Sequence, residues 1–339
     1  MAMRTSVVGS WWPLSDLDDQ LRTMHRKGAP LKDAEALLKA CATRAIVEQR
    51  DLGLTEWTGG EYSSDEFLNH MQKVLTGIKI TRPSRPEIFD YDDMAEATIT
   101  GTIDAPNGMG YAAAYALEAA LPGGVTKATV VGPLEMAFNM FGDYPRLLKQ
   151  LPNLIKVVNK EIRALAAAGC PCIQLDVPTA ATLMSMGAMT PEDIAKIVSQ
   201  CFEGVSGIRR GIHICSGNLR GRPLSGNLSA APWAQVVAKL DGKIEFAHLA
   251  VHYFARFLER EAYSIWPKSV DLIAGIVDEG CYEIEPVWKI RERAEAWAKV
   301  VGEERLWIAP SCGFGRHPIR DVPVLRQKMA NMVEAANSF

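Results

Sequence analysis

The sequence lacks a membrane-length apolar run, a strong excess of either charge, and a paired set of cysteines. Without about 20 consecutive apolar residues no helix spans a bilayer. A formal net charge of −3 argues against nucleic acid or an anionic membrane surface as the main partner. Seven cysteines in 339 residues are an odd number in a large chain, unlike the disulfide scaffold of a small secreted protein. The stretch MAMRTSVVGSWWPL carries no secretory h-region and no small-residue cleavage site, so a cytoplasmic protein is expected. Repeats, low-complexity tracts and flexible linkers are also missing, and a single domain over residues 1–339 is expected. No G-x-G-x-x-G opens a helix after the first β-rich run, which weighs against a dinucleotide-binding open sheet.

What recurs is a strand-then-helix rhythm. Short β-rich runs stand at 5–10, 54–58, 127–133, 172–176, 211–215, 243–247, 272–278 and 306–313. Helical patterns fall between most of them, as in TPEDIAKIVSQCFEGV, where Thr190 reads as an N-cap with Pro191 in the first turn. Eight strands alternating with helices predict a (β/α)8 TIM barrel; a doubly wound sheet is the alternative. The surplus length lies between strands 2 and 3, roughly residues 62–125, where a hairpin around Pro106–Gly110 is expected.

In such barrels chemistry sits where strands end. Polar or reactive residues at those ends are Ser10, Glu61, Asp176, His213 with Cys215, Glu245, Asp278 and Cys312. Residues i and i+2 of a strand face the same side, so His213 and Cys215 can reach one ion together. With Cys312 and Glu245 they form a borderline-soft donor set suited to zinc. The bland alternative is a core thiol beside a histidine bonded to the backbone. A cysteine nucleophile with His213 as base is disfavoured, because a base two residues along a strand is poorly placed to be oriented by a third group. Cys170 and Cys172 fall at the start of their strand and read as core. His248 and His252 are candidates either for competing with Glu245 as ligand or for donating a proton, and Asp278 for orienting a histidine or donor group.

Taken in order, VVGSWWP (7–13), GGEY (59–62), VVGPLEM (130–136), IQLDVP (173–178), HICSGN (213–218), IEFAH (244–248) and LWIAPSCG (306–313) resemble the catalytic domain of the cobalamin-independent methionine synthase family. The chain reads as a single-domain member, without the family's duplicated N-terminal domain. The resemblance implies a (β/α)8 barrel with a catalytic zinc held by His213, Cys215, Glu245 and Cys312. It further implies that Glu61 and Asp176 hold the amino group of homocysteine and that Ser10 lies near its carboxylate. The implied activity is zinc-dependent transfer of a methyl or alkyl group to a thiol, with His248 and Asp278 as candidate catalytic residues. The donor is left open between folate, a methylcorrinoid and others, and a homo-oligomer is compatible.

Three departures stand out: Val177 replaces a Glu of the family pattern, Gly59 an Asp, and Ser311 an Asp. The loop 216–233 differs from the family segment, and Arg209, Arg210, Arg220 and Arg222 in or near it are candidates for binding an anionic group. The tryptophans of GSWWP are candidates for stacking on a flat donor or for core packing. Rival readings are an alkyltransferase or lyase using another thiol, such as the coenzyme M transferases, and a zinc- or sulfur-binding protein without turnover. A cofactor-free decarboxylase of the uroporphyrinogen decarboxylase group is opposed by the H-x-C and Cys-Gly pair.

Overall fold

Apolar runs too short for helices fold as strands buried along nearly their whole length, as central parallel strands are. The computed structural model of the chain describes residues 2–12, 17, 20, 31–62, 71, 74–82, 96–140, 144–215, 231–252, 260–315 and 321–339. Its elements are β1 (Arg4–Thr5), α1 (Leu31–Asp51), β2 (Thr76–Arg82), β3 (Glu96–Asp104), α2 (Tyr111–Ala119), β4 (Ala128–Val131), α3 (Pro133–Met140), α4 (Tyr144–Ala167), β5 (Cys172–Asp176), α5 (Thr179–Ser185), α6 (Pro191–Cys201), β6 (Arg209–Ile214), α7 (Ala231–Lys239), β7 (Phe246–Ala250), β8 (Asp271–Val277), α8 (Val287–Val301), β9 (Leu306–Pro310) and α9 (Val322–Asn337). Seven strands form one parallel sheet in the order β1-β9-β8-β7-β6-β5-β4. No helix among the described residues is long and apolar enough to cross a membrane.

The segment expected as the second strand does not join the ladder as a strand. Glu56 N–H donates to Thr5 O at 3.0 Å on one side, and Thr126 N–H donates to Trp57 O at 3.1 Å on the other. Threonine hydroxyls replace several backbone partners: Thr55 N–H donates to Thr5 Oγ1, Thr5 N–H to Thr55 Oγ1, and Trp57 N–H to Thr126 Oγ1. Side-chain oxygens of this kind offer the backbone an alternative to regular pairing. A single parallel bridge, Ser10 to Gly60, closes the upper end of this seam.

The insertion also differs from expectation. The hairpin is formed by β2 and β3, joined through 83–95, which lie outside the described residues. Residues 106–110 instead turn the chain into α2. Gly108 and Gly110 adopt φ of 80° and 91°, a left-handed backbone that glycine takes without steric cost. The Glu161 carboxylate accepts from Met109 N–H and Ala112 N–H, supplying the cap that α2 lacks locally. The expected start of α6 is present: Thr190 and Asp193 form a reciprocal capping box with Pro191 in the first turn.

Alternation along the strands sorts the interior. Ile173, Leu175, Ile212, Ile214, Ala247, Leu249, Leu272 and Ala274 join the main core with the helices. The alternate residues Cys172, Phe246, Ile273, Trp307 and Ala309 form a separate cluster on the other face of the sheet. On that face Arg209 lies over the rings of Phe246 (4.4 Å) and Trp307 (4.3 Å). It pairs with Glu56 at 2.9 Å and Asp271 at 3.3 Å. Lys127, fully buried, pairs with Glu56 at 3.2 Å and donates to Ser6 Oγ, Val7 O and Gln174 Oε1.

Candidate metal centre

The C-terminal ends of β6 and β9 bring together the two halves of the expected donor set. His213 and Cys215 extend from β6 with same-side spacing, and Cys312 follows β9. One ligand atom from each lies within 4.8 Å of the other two. His213 Nδ1 is 3.1 Å from His248 O; a carbonyl only accepts, so Nδ1 carries a proton and Nε2 is the atom left to face a metal. Nε2 is buried and makes no regular hydrogen bond among the described residues. A ring oriented through its Nδ1–H in this way presents Nε2 as a metal ligand requires.

Electrostatics agree with a cation site. The Cys312 thiol is pushed well above its ordinary range by its hydrogen bond with Cys215, by burial, and by the neighbouring Cys215 and Glu279 charges. Burial pulls the His213 imidazole down, but Cys215, Asp176 and the His248 carbonyl outweigh it and leave the pKa raised. Two buried thiols and nearby carboxyl groups cannot all ionise unless positive charge joins them. The donor set therefore fits a soft-to-borderline dication such as zinc.

Glu245 does not stand with these three. β7 begins at Phe246, one residue later, and Phe246 and His248 face the interior; Glu245, the residue before Phe246, falls on the opposite face. Its carboxylate takes Arg210 N–H and the Arg210 guanidinium, at 2.6 Å each, and the side chain is 40% exposed. It is level with Arg210, three residues before His213. The same ion pair occupies Arg210, and Arg209 is engaged with Glu56 and Asp271, so neither is free for an anionic ligand. Arg220, Arg222 and residues 216–230 lie outside the described residues.

His248 is sealed in the interior beside His213, with ring centroids 4.9 Å apart. Its Nε2–H donates to Pro310 O at 2.9 Å, and burial, with His213, holds its pKa well below the ordinary value. It is thus a neutral, fixed ring. His252 stands nearer the strand ends. Its Nδ1 is hydrogen-bonded to Ser311 Oγ, and Nε2 lies 3.7 Å from Asp278 Oδ1. Burial, with Arg293 and Lys328, pulls His252 down to about 3, while burial raises Asp278. The position where the family pattern has Asp, Ser311, thus carries the hydroxyl end of a Ser–His–Asp row.

The three expected substrate residues surround the end of the seam. Ser10 Oγ accepts from Gly315 N–H at 3.0 Å, tying the segment after β1 to the loop after Cys312. Asp176 Oδ1 accepts from Gln174 Nε2–H at 2.8 Å, and burial is the main reason its pKa rises to about 7. Glu61 is hydrogen-bonded to the Thr129 hydroxyl and is raised by burial. It is also the only non-glycine among the described residues with positive φ, at 61°. Strain of this kind persists where surrounding structure imposes it, commonly at functional sites. Gly9 makes it possible, since a Cβ there would collide with the Glu61 carboxylate.

Several members escape sequence reasoning. Tyr111, whose pKa is raised by burial and by Glu61 and Asp176, comes from the insertion. Glu118 of α2 places its carboxyl where a side chain on Gly59 would stand, and burial and Glu61 push it to about 8. Glu135, buried in the first turn of α3, accepts from the Thr179 N–H and hydroxyl. Glu135 lies within the VVGPLEM stretch without being singled out there, and nothing local points to the others. Trp11 and Trp12 pack with ring centroids 3.8 Å apart at a 31° tilt and meet Phe314 edge-on, both nearly inaccessible, so they are packing residues. Val177 is likewise core.

The sequence model of the family described as "Cobalamin-independent synthase, Catalytic domain" matches residues 3–205 and 241–338. The unmatched stretch, 206–240, contains the whole loop 216–233 that reads unlike the family, and also His213 and Cys215. The methionine synthase of Sulfolobus acidocaldarius is 22% identical over 340 residues, covering 97% of this chain and 90% of that protein. The B12-independent methionine synthase of Shewanella sp. W3-18-1, solved with selenomethionine, superposes with a TM-score of 0.71 at 18% identity, covering 100% of this chain and 97% of that one. A putative vitamin-B12-independent methionine synthase of Listeria monocytogenes gives 0.68 at 18% identity, covering 98% and 96%.

Proposed function

The chain belongs to the cobalamin-independent synthase catalytic-domain family, a family of methionine-synthase-like methyltransferases, and from that premise we propose that it methylates homocysteine to methionine with a zinc ion held by His213, Cys215 and Cys312. The observation that carries the reading is the convergence of these three donors at the C-terminal strand ends. We take the seven strands and the hydrogen-bonded segment 54–60 as one closed eight-staved barrel, and all 339 residues as one domain of a cytoplasmic enzyme. Zinc, when bound, lowers the pKa of a thiol beside it so that the sulfur is nucleophilic at neutral pH.

The chain's own residues do the rest. Glu61 and Asp176 are buried carboxyls on the same side as the trio, and a cationic amine is the partner that lets both ionise. They favour an aminothiol over a thiol without an amine. Ser10, fixed to the Cys312 loop, sets the distance between amine and sulfur. The Ser311–His252–Asp278 row holds a proton site next to Cys312, within the same buried end. Ordering of both ends of a small substrate is worth a large part of the barrier.

Protein purified without chelator is expected to carry about one zinc per chain and to convert homocysteine to methionine with a folate or methylcorrinoid methyl donor. A folded protein with no affinity for zinc, or a zinc-loaded one inert toward homocysteine with both donor classes, overturns the reading. Gly9→Ala is expected to push Glu61 aside and cost up to about 100-fold in kcat/KM for homocysteine, while zinc content stays unchanged. Steady-state kinetics with metal analysis check it.

A further inference from the structure

Gly59 stands where the family pattern has Asp, and the space over it is taken. Its backbone lies outside the left-handed region, so conformation does not call for glycine there. Space does: a Cβ on Gly59 would collide with the carboxyl carbon and both oxygens of Glu118. The Glu118 carboxyl therefore rests on the Gly59 backbone, two residues before Glu61. It arrives from the insertion on a helix that is tied down. Tyr111, Ala114, Tyr115 and Glu118 follow the three- and four-residue spacing of one face of α2. Ala114 and Tyr115 are buried, so that face looks inward. Glu161 caps the start of the helix, and the Tyr115 hydroxyl donates to Gly169 O at 3.1 Å. Just past its end, Trp57 Nε1–H donates to Gly124 O at 2.9 Å, which fastens it to the 54–60 seam.

We propose that Glu118 is a specificity-determining residue of the amine pocket: from the insertion it sets a third carboxyl beside Glu61, in the place a side chain at 59 would fill, and so selects thiols that carry a cationic amine. The proposal rests on the homocysteine reading given above. Among the described residues the one charge that acts on Glu118 is that of Glu61, and both are acids. Two neighbouring carboxyls without a cation resist ionising together, and an ammonium beside them removes that penalty. A thiol with an apolar group in place of the amine leaves them crowded and unpaired, which disfavours it. Positions 59 and 118 thus form one locus with room for one carboxyl. An acid at 59 and Glu118 exclude each other, and either one alone would serve.

The test compares homocysteine with 4-sulfanylbutanoate, the same thiol acid without the amine. Both are titrated into the zinc-loaded full chain by calorimetry, and KM and kcat are measured for homocysteine. Glu118→Gln keeps the size of the side chain over Gly59 and removes its charge. It is expected to weaken homocysteine binding by about 10-fold, in KM rather than kcat, while 4-sulfanylbutanoate binds as before. Gly59→Asp alone is expected to weaken homocysteine as well, because the new side chain meets Glu118. Combining Gly59→Asp with Glu118→Ala returns one carboxyl to the locus, so the double variant is expected to bind homocysteine more tightly than Glu118→Ala. Unchanged homocysteine affinity in Glu118→Gln, equal losses for the two thiols, or a double variant no better than Glu118→Ala overturns the proposal. If the double variant does not fold, the ratio of the two thiols in Glu118→Gln decides alone. An unaltered protein that neither binds nor methylates homocysteine would instead sink the functional reading itself, which separates the two failures.

Discussion

Replacing Glu56 with alanine is expected to destabilise the protein by about 3–5 kcal/mol, the cost of leaving a buried charge without its partner. Glu56 is 5% exposed and joins Lys127, Arg209 and the Ser6 hydroxyl. Lys127 is 1% exposed, and its other partners are neutral oxygens. Truncating Glu56 leaves the ammonium in a place it cannot leave. Urea denaturation of the single variant and of a Glu56→Leu, Lys127→Met double variant measures this. The double variant is expected to recover much of the loss, since replacing a whole buried pair by apolar groups is often neutral. The pH dependence has a definite sign. Burial pushes the Glu56 carboxyl up, but Lys127 and Arg209 outweigh it and hold it below the unfolded value of 4.5. Its contribution is therefore fully present above 4.5 and is lost as pH falls through the lower folded value. The gap between unaltered protein and Glu56→Ala should close on acidification below that point. A gap that is flat across this range, or a loss under 1 kcal/mol, would show that Lys127 finds other compensation.

Cys215→Ser is expected to be the most damaging change for activity. A free thiol with pKa near 8.5 is ionised to about 3% at pH 7, so losing metal activation costs at least about 30-fold in rate, before loss of positioning is added. Zinc stoichiometry should fall with it, because Cys215 is one of three close donors. Cys170→Ser is the control: Cys170 donates to Cys172 O at 3.2 Å at the other end of β5, and burial raises it to about 11, as an inert thiol requires. Zinc retention in Cys215→Ser equal to that in Cys170→Ser would remove Cys215 from the centre.

His213, Cys215 and Cys312 were legible in the sequence because strand alternation is a local rule and both runs, GIHIC and LWIAPSCG, fold where their composition places them. Glu245 was not, because its face depends on where β7 begins. The run KIEFA suggested 243–247, the strand is Phe246–Ala250, and an odd shift sends a side chain to the other face. The parallel sheet followed from apolar runs separated by helices. The 54–58 run has strand composition too, but its threonines took over backbone partners, which no periodicity records. Glu118 and Tyr111 come from the insertion, so their arrival beside Glu61 is a matter of tertiary packing alone.

That hydroxyl-stitched seam has a consequence for how the molecule breathes. A parallel ladder exchanges its amide protons only when neighbouring bonds open together, whereas bonds to a threonine hydroxyl break with a single side-chain rotation. Local opening therefore starts along residues 54–60, and the strained backbone of Glu61 sits at its upper end, next to the Ser10–Gly60 bridge. Under the proposed function, the part of the sheet that yields first is the part a bound amine would clamp, so substrate would act on the fold as a latch as well as on the chemistry.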